Sequence, residues 1–252
     1  RCTATKWSNE WRLNVDRLIE FASVFTGRKI VVNIVGDFCC SPEEVEAYFT
    51  PLGEVTFIHV ADELRTYEAC GFLDGLKTLA RTNPGGITFY AHTRGVRYTA
   101  KRGEPFFQAI RDWRNACYTH CLQDIDKVEA LLEDHACCGC YRVTSPNRLF
   151  QNTNFFFFGN FWWVRNSSLF SSDWAKDRFN NPFSVEAYLG QLFSLSESSC
   201  LLEDHYLGYP YAVELEYRCA CGYACKKLTS PGEANVIACP VCQTLSATNG
   251  LS

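Results

Sequence analysis

The chain has 252 residues, enough for one large α/β domain or for a domain of about 200 residues with a small appendage. It is 47% hydrophobic and 21% charged, which excludes a disordered or low-complexity protein. The formal net charge of −4 excludes a global pull toward nucleic acid or anionic membrane, so any site for a polyanion must be local.

Trp11, Val15, Leu18, Ile19, Ala22 and Phe25 recur at a spacing near 3.6, which predicts a helix capped by Ser8 and stopped at Gly27. Residues 29–35 (K-I-V-V-N-I-V) form a short apolar run ending at Gly36-Asp37, the pattern of a strand buried on both faces. Ser41-Pro42-Glu43-Glu44 opens a helix with a good N-cap, Pro in the first turn and acids near the positive dipole end, and Pro51-Leu52-Gly53 closes it. A strand over 54–60, an amphipathic helix over 66–81 and a strand over 86–91 follow. The order β-α-β-α-β predicts a parallel sheet wound with helices. Beyond it, residues 105–132 read as helix broken near Asp124, 135–142 and 153–158 as strands, and 185–193 as a helix entered through Asn181-Pro182. Helical periodicity ends near Glu214, where Cys and Gly become dense. The expected organisation is a larger domain over 1–213 and a small module over 214–252.

The longest apolar stretch, 154–164, is broken by Gly and Asn well short of the roughly 20 residues that span a bilayer, and no signal peptide opens the chain. A soluble protein without a membrane span is expected. The 15 Cys cluster in short C-x-C and C-x-x-C pairs, which favours thiols and metal over disulfides and a reducing, cytoplasmic setting, the host cytoplasm if the source is viral. Met is absent, where about five would be ordinary, so a counted spacing can be short by one.

Cys239-Pro240-Val241-Cys242 is a C-x-x-C pair, and seventeen residues separate it from Cys221, with Cys219 and Cys225 nearby. Two such pairs at this interval match a four-Cys zinc ribbon, whose two knuckles place thiolates tetrahedrally around a structural zinc. The expected ligands are Cys219, Cys221, Cys239 and Cys242. Because C-x-C is one residue shorter than the usual knuckle, either Cys225 replaces one partner or the chain lacks a residue between Cys219 and Cys221. About forty residues with so little apolar content need a staple to fold. Arg218, Lys226 and Lys227 are too few to make this module a strong phosphate binder. The Cys137-Cys138-Gly139-Cys140 cluster lies on an apolar strand and reads as buried structural thiols.

Ligands of open parallel sheets bind beyond the carboxyl ends of the strands. After the first strand come Gly36-Asp37, and after the third His92-Thr93-Arg94-Gly95. That second loop continues to Gly103 with Arg94, Arg97, Lys101 and Arg102, four cations in nine residues. Gly95 and Gly103 allow close backbone approach and Arg94 suits bidentate phosphate contact, so a diphosphate is the natural guest.

Trp11 followed by a helix, residues 29–36, Thr66-Tyr67-Glu68, Tyr90-Ala91-His92-Thr93-Arg94-Gly95, Asp112-Trp113-Arg114, Gly159-Asn160-Phe161-Trp162-Trp163 and the helix carrying Glu186 and Gly190 come in one order. Together they resemble a family of bacterial and viral glycosyltransferases with Y-x-H-T-K-G, D-W-R, G-N-F-W-W and E-x-x-x-G motifs. The resemblance spans roughly residues 11–190 and implies a GT-A-type sheet with helices on both faces, a nucleotide-sugar donor (UDP- or GDP-linked), and transfer to a glycan or other hydroxyl acceptor. Where this fold usually carries metal-binding Asp-x-Asp, the chain has His92-Thr93-Arg94. An Arg cannot ligate a hard cation, so the cationic loop is expected to stabilise the departing diphosphate without a catalytic metal. Asp37 would contact the nucleotide base or ribose, with His92 and Thr93 beside the donor. Gly159, Asn160, Phe161, Trp162 and Trp163 would line the acceptor or sugar pocket unless they form a hydrophobic core hinge. Glu186 would be the base, Asp112 and Arg114 would orient the basic loop, and His205 is read as a surface histidine. Two other readings stand beside this one: a catalytically silent module whose ribbon recruits a partner, and a sugar transferase acting on nucleic acid.

Overall fold

A computed structural model of the chain describes residues 2–61, 69–93, 104–144, 153–176, 184–202, 216–218 and 224–226. The architecture is mixed helix and sheet. Helix α1 (Glu10–Glu20) starts two residues after Ser8, whose Oγ accepts a hydrogen bond from Glu10 N at 3.2 Å. It ends earlier than expected, and a 3₁₀ turn (Ala22–Val24) carries the chain on toward Gly27. Strand β1 (Lys29–Val35) leads into α2 (Pro42–Phe49), where Ser41 Oγ accepts from Glu44 N at 3.2 Å with Pro42 at N1. Strand β2 (Val55–Ala61) pairs parallel with β1 in the register Lys29↔Val55. Helix α3 (Phe72–Thr82) covers the later part of the expected 66–81 helix, of which 66–68 lie outside the described residues.

Strand β3 (Ile87–Tyr90) departs from the expected parallel order. It pairs antiparallel with β7 (Trp162–Arg165), in the register Phe89↔Trp163, and not with β1. The reason lies on the edge of β1 away from β2. There Cys2 N donates to Val32 O at 2.8 Å and Ile34 N to Cys2 O at 3.0 Å. The N-terminal segment thus takes the carboxyl half of that edge, and a cavity of about 280 Å³ lies between the rest of β1 and β3.

Helices α4 (Glu104–Leu122) and α5 (Ile125–Asp134) divide at Asp124, as the sequence predicts. Asp124 Oδ1 caps α5 by accepting from Lys127 N at 3.1 Å. Strand β4 (Cys137–Cys140) follows, then two short strands, β5 (Arg142–Val143) and β6 (Phe156–Phe157), that pair antiparallel. After β7 come α6 (Asn166–Phe170), α7 (Ser184–Leu192) and β8 (Ser198–Leu202). The second sheet has the order β3-β7-β4-β8.

Side chains alternate across this sheet. Trp162, Val164 and Cys137 join Phe72, Leu76 and Tyr188 on the α3 and α7 face, whereas Trp163, Cys138 and Cys140 join Tyr118, Leu122 and Val128 on the α4 and α5 face. A third cluster packs Trp11, Val15, Val45 and Phe49 onto Val31 of β1. Helices therefore lie on both faces. No described helix is long and apolar enough to cross a membrane. Strands β9 (Glu216–Arg218) and β10 (Ala224–Lys226) pair antiparallel, and the expected boundary near Glu214 lies outside the described residues.

Candidate functional site

The carboxyl ends of β1 and β3 are tied together through the N-terminal segment. Thr3 N donates to Thr93 Oγ1 at 2.9 Å, while Cys2 is bonded to Val32 and Ile34 of β1. Thr93 Oγ1 in turn faces Thr3 O at 3.5 Å. The tie fixes the point where the chain leaves β3 for the basic loop. Thr93 and the buried His92, 6% exposed, both line the cavity. Asp37 is exposed beyond β1, in a turn closed by Cys39 N donating to Gly36 O at 2.9 Å. Lys6 Nζ donates to the Asp37 carbonyl at 2.9 Å. Arg94, Gly95, Arg97, Lys101 and Arg102 lie outside the described residues.

The motif residues converge on one buried junction. Tyr90 of β3 stacks on Trp162 of β7 with ring centroids 4.7 Å apart, and the His92 ring lies 6.2 Å from that of Phe161. Trp113 of α4 packs edge-on to Phe161 at 6.1 Å. Gly159 has φ +86°, and a Cβ there would meet Trp113 Cη2 at 2.0 Å, so both the turn and the approach of the indole require glycine. Asn160, also at positive φ (60°), is fully buried, and its Oδ1 accepts from Trp162 Nε1 at 3.4 Å.

Gly159, Asn160, Phe161, Trp162 and Trp163 thus form the turn into β7 and the strand itself. Only Trp163 of the five lines the cavity, and its Nε1 donates to Cys121 O at 2.8 Å. The arrangement is that of the core hinge given above as the alternative to a pocket. Burying three large aromatics here removes apolar area at about 25 cal/mol per Å², which makes the string a marker of the fold.

Asp112 and Arg114 part company. Asp112 Oδ1 accepts from Gln108 Nε2 at 2.7 Å, whereas Arg114 Nη1 donates to Glu10 Oε2 of α1 at 2.7 Å. Arg111 adds Nε to Glu10 Oε1 at 3.0 Å. This buried acid–base group between α1 and α4 carries no local signal in the sequence, because its members stand about 100 residues apart.

Glu186 sits in the first turn of α7, 8% exposed, and does not line the cavity. Its helix docks closely on the segment before β6. A Cβ on Gly190 would meet Phe155 O at 1.8 Å, and Asn154 N donates to Gly190 O at 2.9 Å. The E-x-x-x-G spacing thereby sets Glu186 one turn from the close contact.

Of the expected zinc ligands, Cys219, Cys221, Cys239 and Cys242 lie outside the described residues, as does His205, and Cys225 falls in β10. Among the described residues no group of three or more His, Cys, Asp or Glu is placed to hold a metal ion. Burial explains the chemistry of Cys121, Cys137 and Cys138, whereas hydrogen bonding with Cys117 and Cys121 draws the Cys140 thiol well below its ordinary value. Burial pushes up the thiols of Cys121 and Cys137, and that of Cys138 to about 12. These three are inert packing groups. Comparison with protein-family models, curated proteins and solved structures finds no match to this chain.

Proposed function

We propose that the chain is a GT-A-type glycosyltransferase that moves a sugar from a UDP- or GDP-linked donor to an acceptor hydroxyl without a catalytic metal. One observation carries the reading: the Tyr90-x-His92 motif, Trp113 and the Gly159–Trp163 string, scattered in sequence, meet in a single junction at the carboxyl end of β3. Motifs that must fit one another have a physical reason to occur together. The junction also fixes the strand end from which the Arg94 loop departs.

The donor diphosphate would rest on Arg94, with Arg97, Lys101 and Arg102 adding charge, and His92, Thr93, Gly95 and Asp37 flanking the nucleotide. The acceptor oxygen attacks the anomeric carbon, the bond from that carbon to the phosphate oxygen breaks, and the nucleoside diphosphate leaves with the electron pair. Glu186 takes the acceptor proton. The cations act where negative charge develops, so they lower the barrier more than they strengthen ground-state binding.

The small module is read as a zinc ribbon held by Cys219, Cys221, Cys239 and Cys242, with Cys225 as the alternative ligand. The antiparallel β9 and β10 flank the first pair, which supports a knuckle there. Four thiolates leave no open position on zinc, so its contribution is to folding.

Transfer assays test the reading. Arg94→Ala should cost about 100-fold in release of nucleoside diphosphate. Glu186→Gln should abolish transfer and leave donor binding intact. Loss of activity in chelator with recovery on Mn²⁺, and not on Zn²⁺, would overturn the metal-free mechanism. The burial of Phe161 and Trp162 favours a second reading, a catalytically silent glycan- or nucleotide-binding module, because a motif kept for folding survives the loss of activity. In that case Glu186→Gln and the wild type would bind alike and neither would transfer. Salt-sensitive retention of DNA would instead support a nucleic-acid acceptor.

A further inference from the structure

The described residues expose three large hydrophobic side chains, and two of them touch each other. Trp7 is 56% and Phe38 70% exposed, with ring centroids 5.6 Å apart and planes tilted by 59°. Such a pair is not accidental loop debris, because its backbone is locked. Cys40 N donates to Ala4 O at 2.7 Å and Lys6 N to Phe38 O at 3.1 Å, and Thr5 bridges to Cys39. The rings are therefore held in water by a built scaffold, at the carboxyl end of β1 and beside the exposed Asp37.

We propose that Trp7, Phe38 and Asp37 form a subsite for one pyranose ring of a neutral glycan, the acceptor chain of the transferase; the assignment of that chain as acceptor rests on the function proposed above. Two tilted aromatic faces offer flat apolar area of the size of the C–H face of a pyranose. The carboxylate of Asp37 accepts hydrogen bonds from adjacent hydroxyls. The Lys6 ammonium is engaged by the Asp37 carbonyl at 2.9 Å. The platform is open, which suits one unit of a longer chain better than an enclosed small molecule. It also supplies exposed aromatic faces, which Phe161 and Trp162 cannot, since both are buried in the sheet.

The test uses the full chain and five neutral hexaoses, of the cello, malto, manno, xylo and chito series, titrated by tryptophan fluorescence and by saturation-transfer NMR. At least one hexaose should bind saturably, Trp7→Ala and Phe38→Ala should each weaken it about tenfold, and Asp37→Asn about threefold. Trp7→Phe should retain most of the affinity, which separates loss of the ring from loss of the fold. The thermal shift given by UDP- or GDP-sugars should be the same in Trp7→Ala, Phe38→Ala and Trp7→Phe as in the wild type. Failure of every hexaose to saturate, or wild-type affinity in both Trp7→Ala and Phe38→Ala, would overturn the proposal. So would loss of the nucleotide-sugar shift in Trp7→Ala, which would make the platform a base site, or a halved native mass, which would make it a dimer contact. Hexaose binding that depends on Trp7 in a protein that responds to no donor would uphold the glycan subsite and remove the transferase.

Discussion

Arg114 takes a full charge to a position 2% exposed, and Glu10, 4% exposed, meets it there with Arg111 alongside. Removing one partner of such a group leaves the other buried and charged, which costs far more than the pair contributes. Arg114→Leu should therefore lower stability by about 3 kcal/mol, read as a shift in the urea midpoint. A change under 0.5 kcal/mol would show that water reaches Glu10. Gly190 makes a second test. Alanine is ordinarily better than glycine inside a helix by about 1 kcal/mol. Here the added carbon would lie 1.8 Å from Phe155 O, backbone that cannot step aside cheaply. Gly190→Ala should destabilise by about 2 kcal/mol or more, whereas Gly85→Ala, with open space around its Cβ, should be close to neutral. Equal melting temperatures for the two variants would contradict the close docking of α7.

At the scale of elements, the Cys138 thiol of β4 gives the sheet a pH dependence whose sign is fixed. Cys138 holds its proton in the folded chain up to about 12, against an ordinary 9.0. Between those values the unfolded chain has released the proton and the folded chain has not, so rising pH favours unfolding by about 1.4 kcal/mol per unit for this thiol. Below pH 8 the effect vanishes. Urea midpoints measured at pH 8, 9 and 10 should fall more steeply in the wild type than in Cys138→Ala, and parallel slopes would contradict the burial of this sulfur. What the sequence made legible among the elements follows the same physics. Ser41-Pro42 and Asp124 announce their helices because capping is local. Strand β7 escaped because Trp162 and Trp163 face two different cores, so no alternation marks the strand and the string reads equally as a pocket or as a core hinge. The pairing of β3 with β7 spans about 75 residues, and no local pattern encodes it.

At the scale of the whole molecule, the alternation of strands and helices was enough to give an α/β protein. It was not enough to give the division into two sheets, because the N-terminal segment that takes the edge of β1 has no periodicity of its own. The candidate site divides in the same way. His92 and Thr93 stand where a strand meets a run of cations and glycines, a pattern visible in the sequence. Trp7 and Phe38, more than 30 residues apart, become neighbours only when Ala4 and Lys6 bond to the turn after β1. The central claim is that this fold binds a nucleotide sugar on the Arg94 loop and labilises its glycosyl bond. The most direct measurement is a thermal-shift screen of the purified full chain against UDP- and GDP-linked sugars without added divalent metal, scored in parallel for nucleoside diphosphate release. The account predicts that one donor raises the melting temperature and is slowly hydrolysed, with both responses lost in Arg94→Ala. A protein that neither binds nor hydrolyses any donor would contradict it.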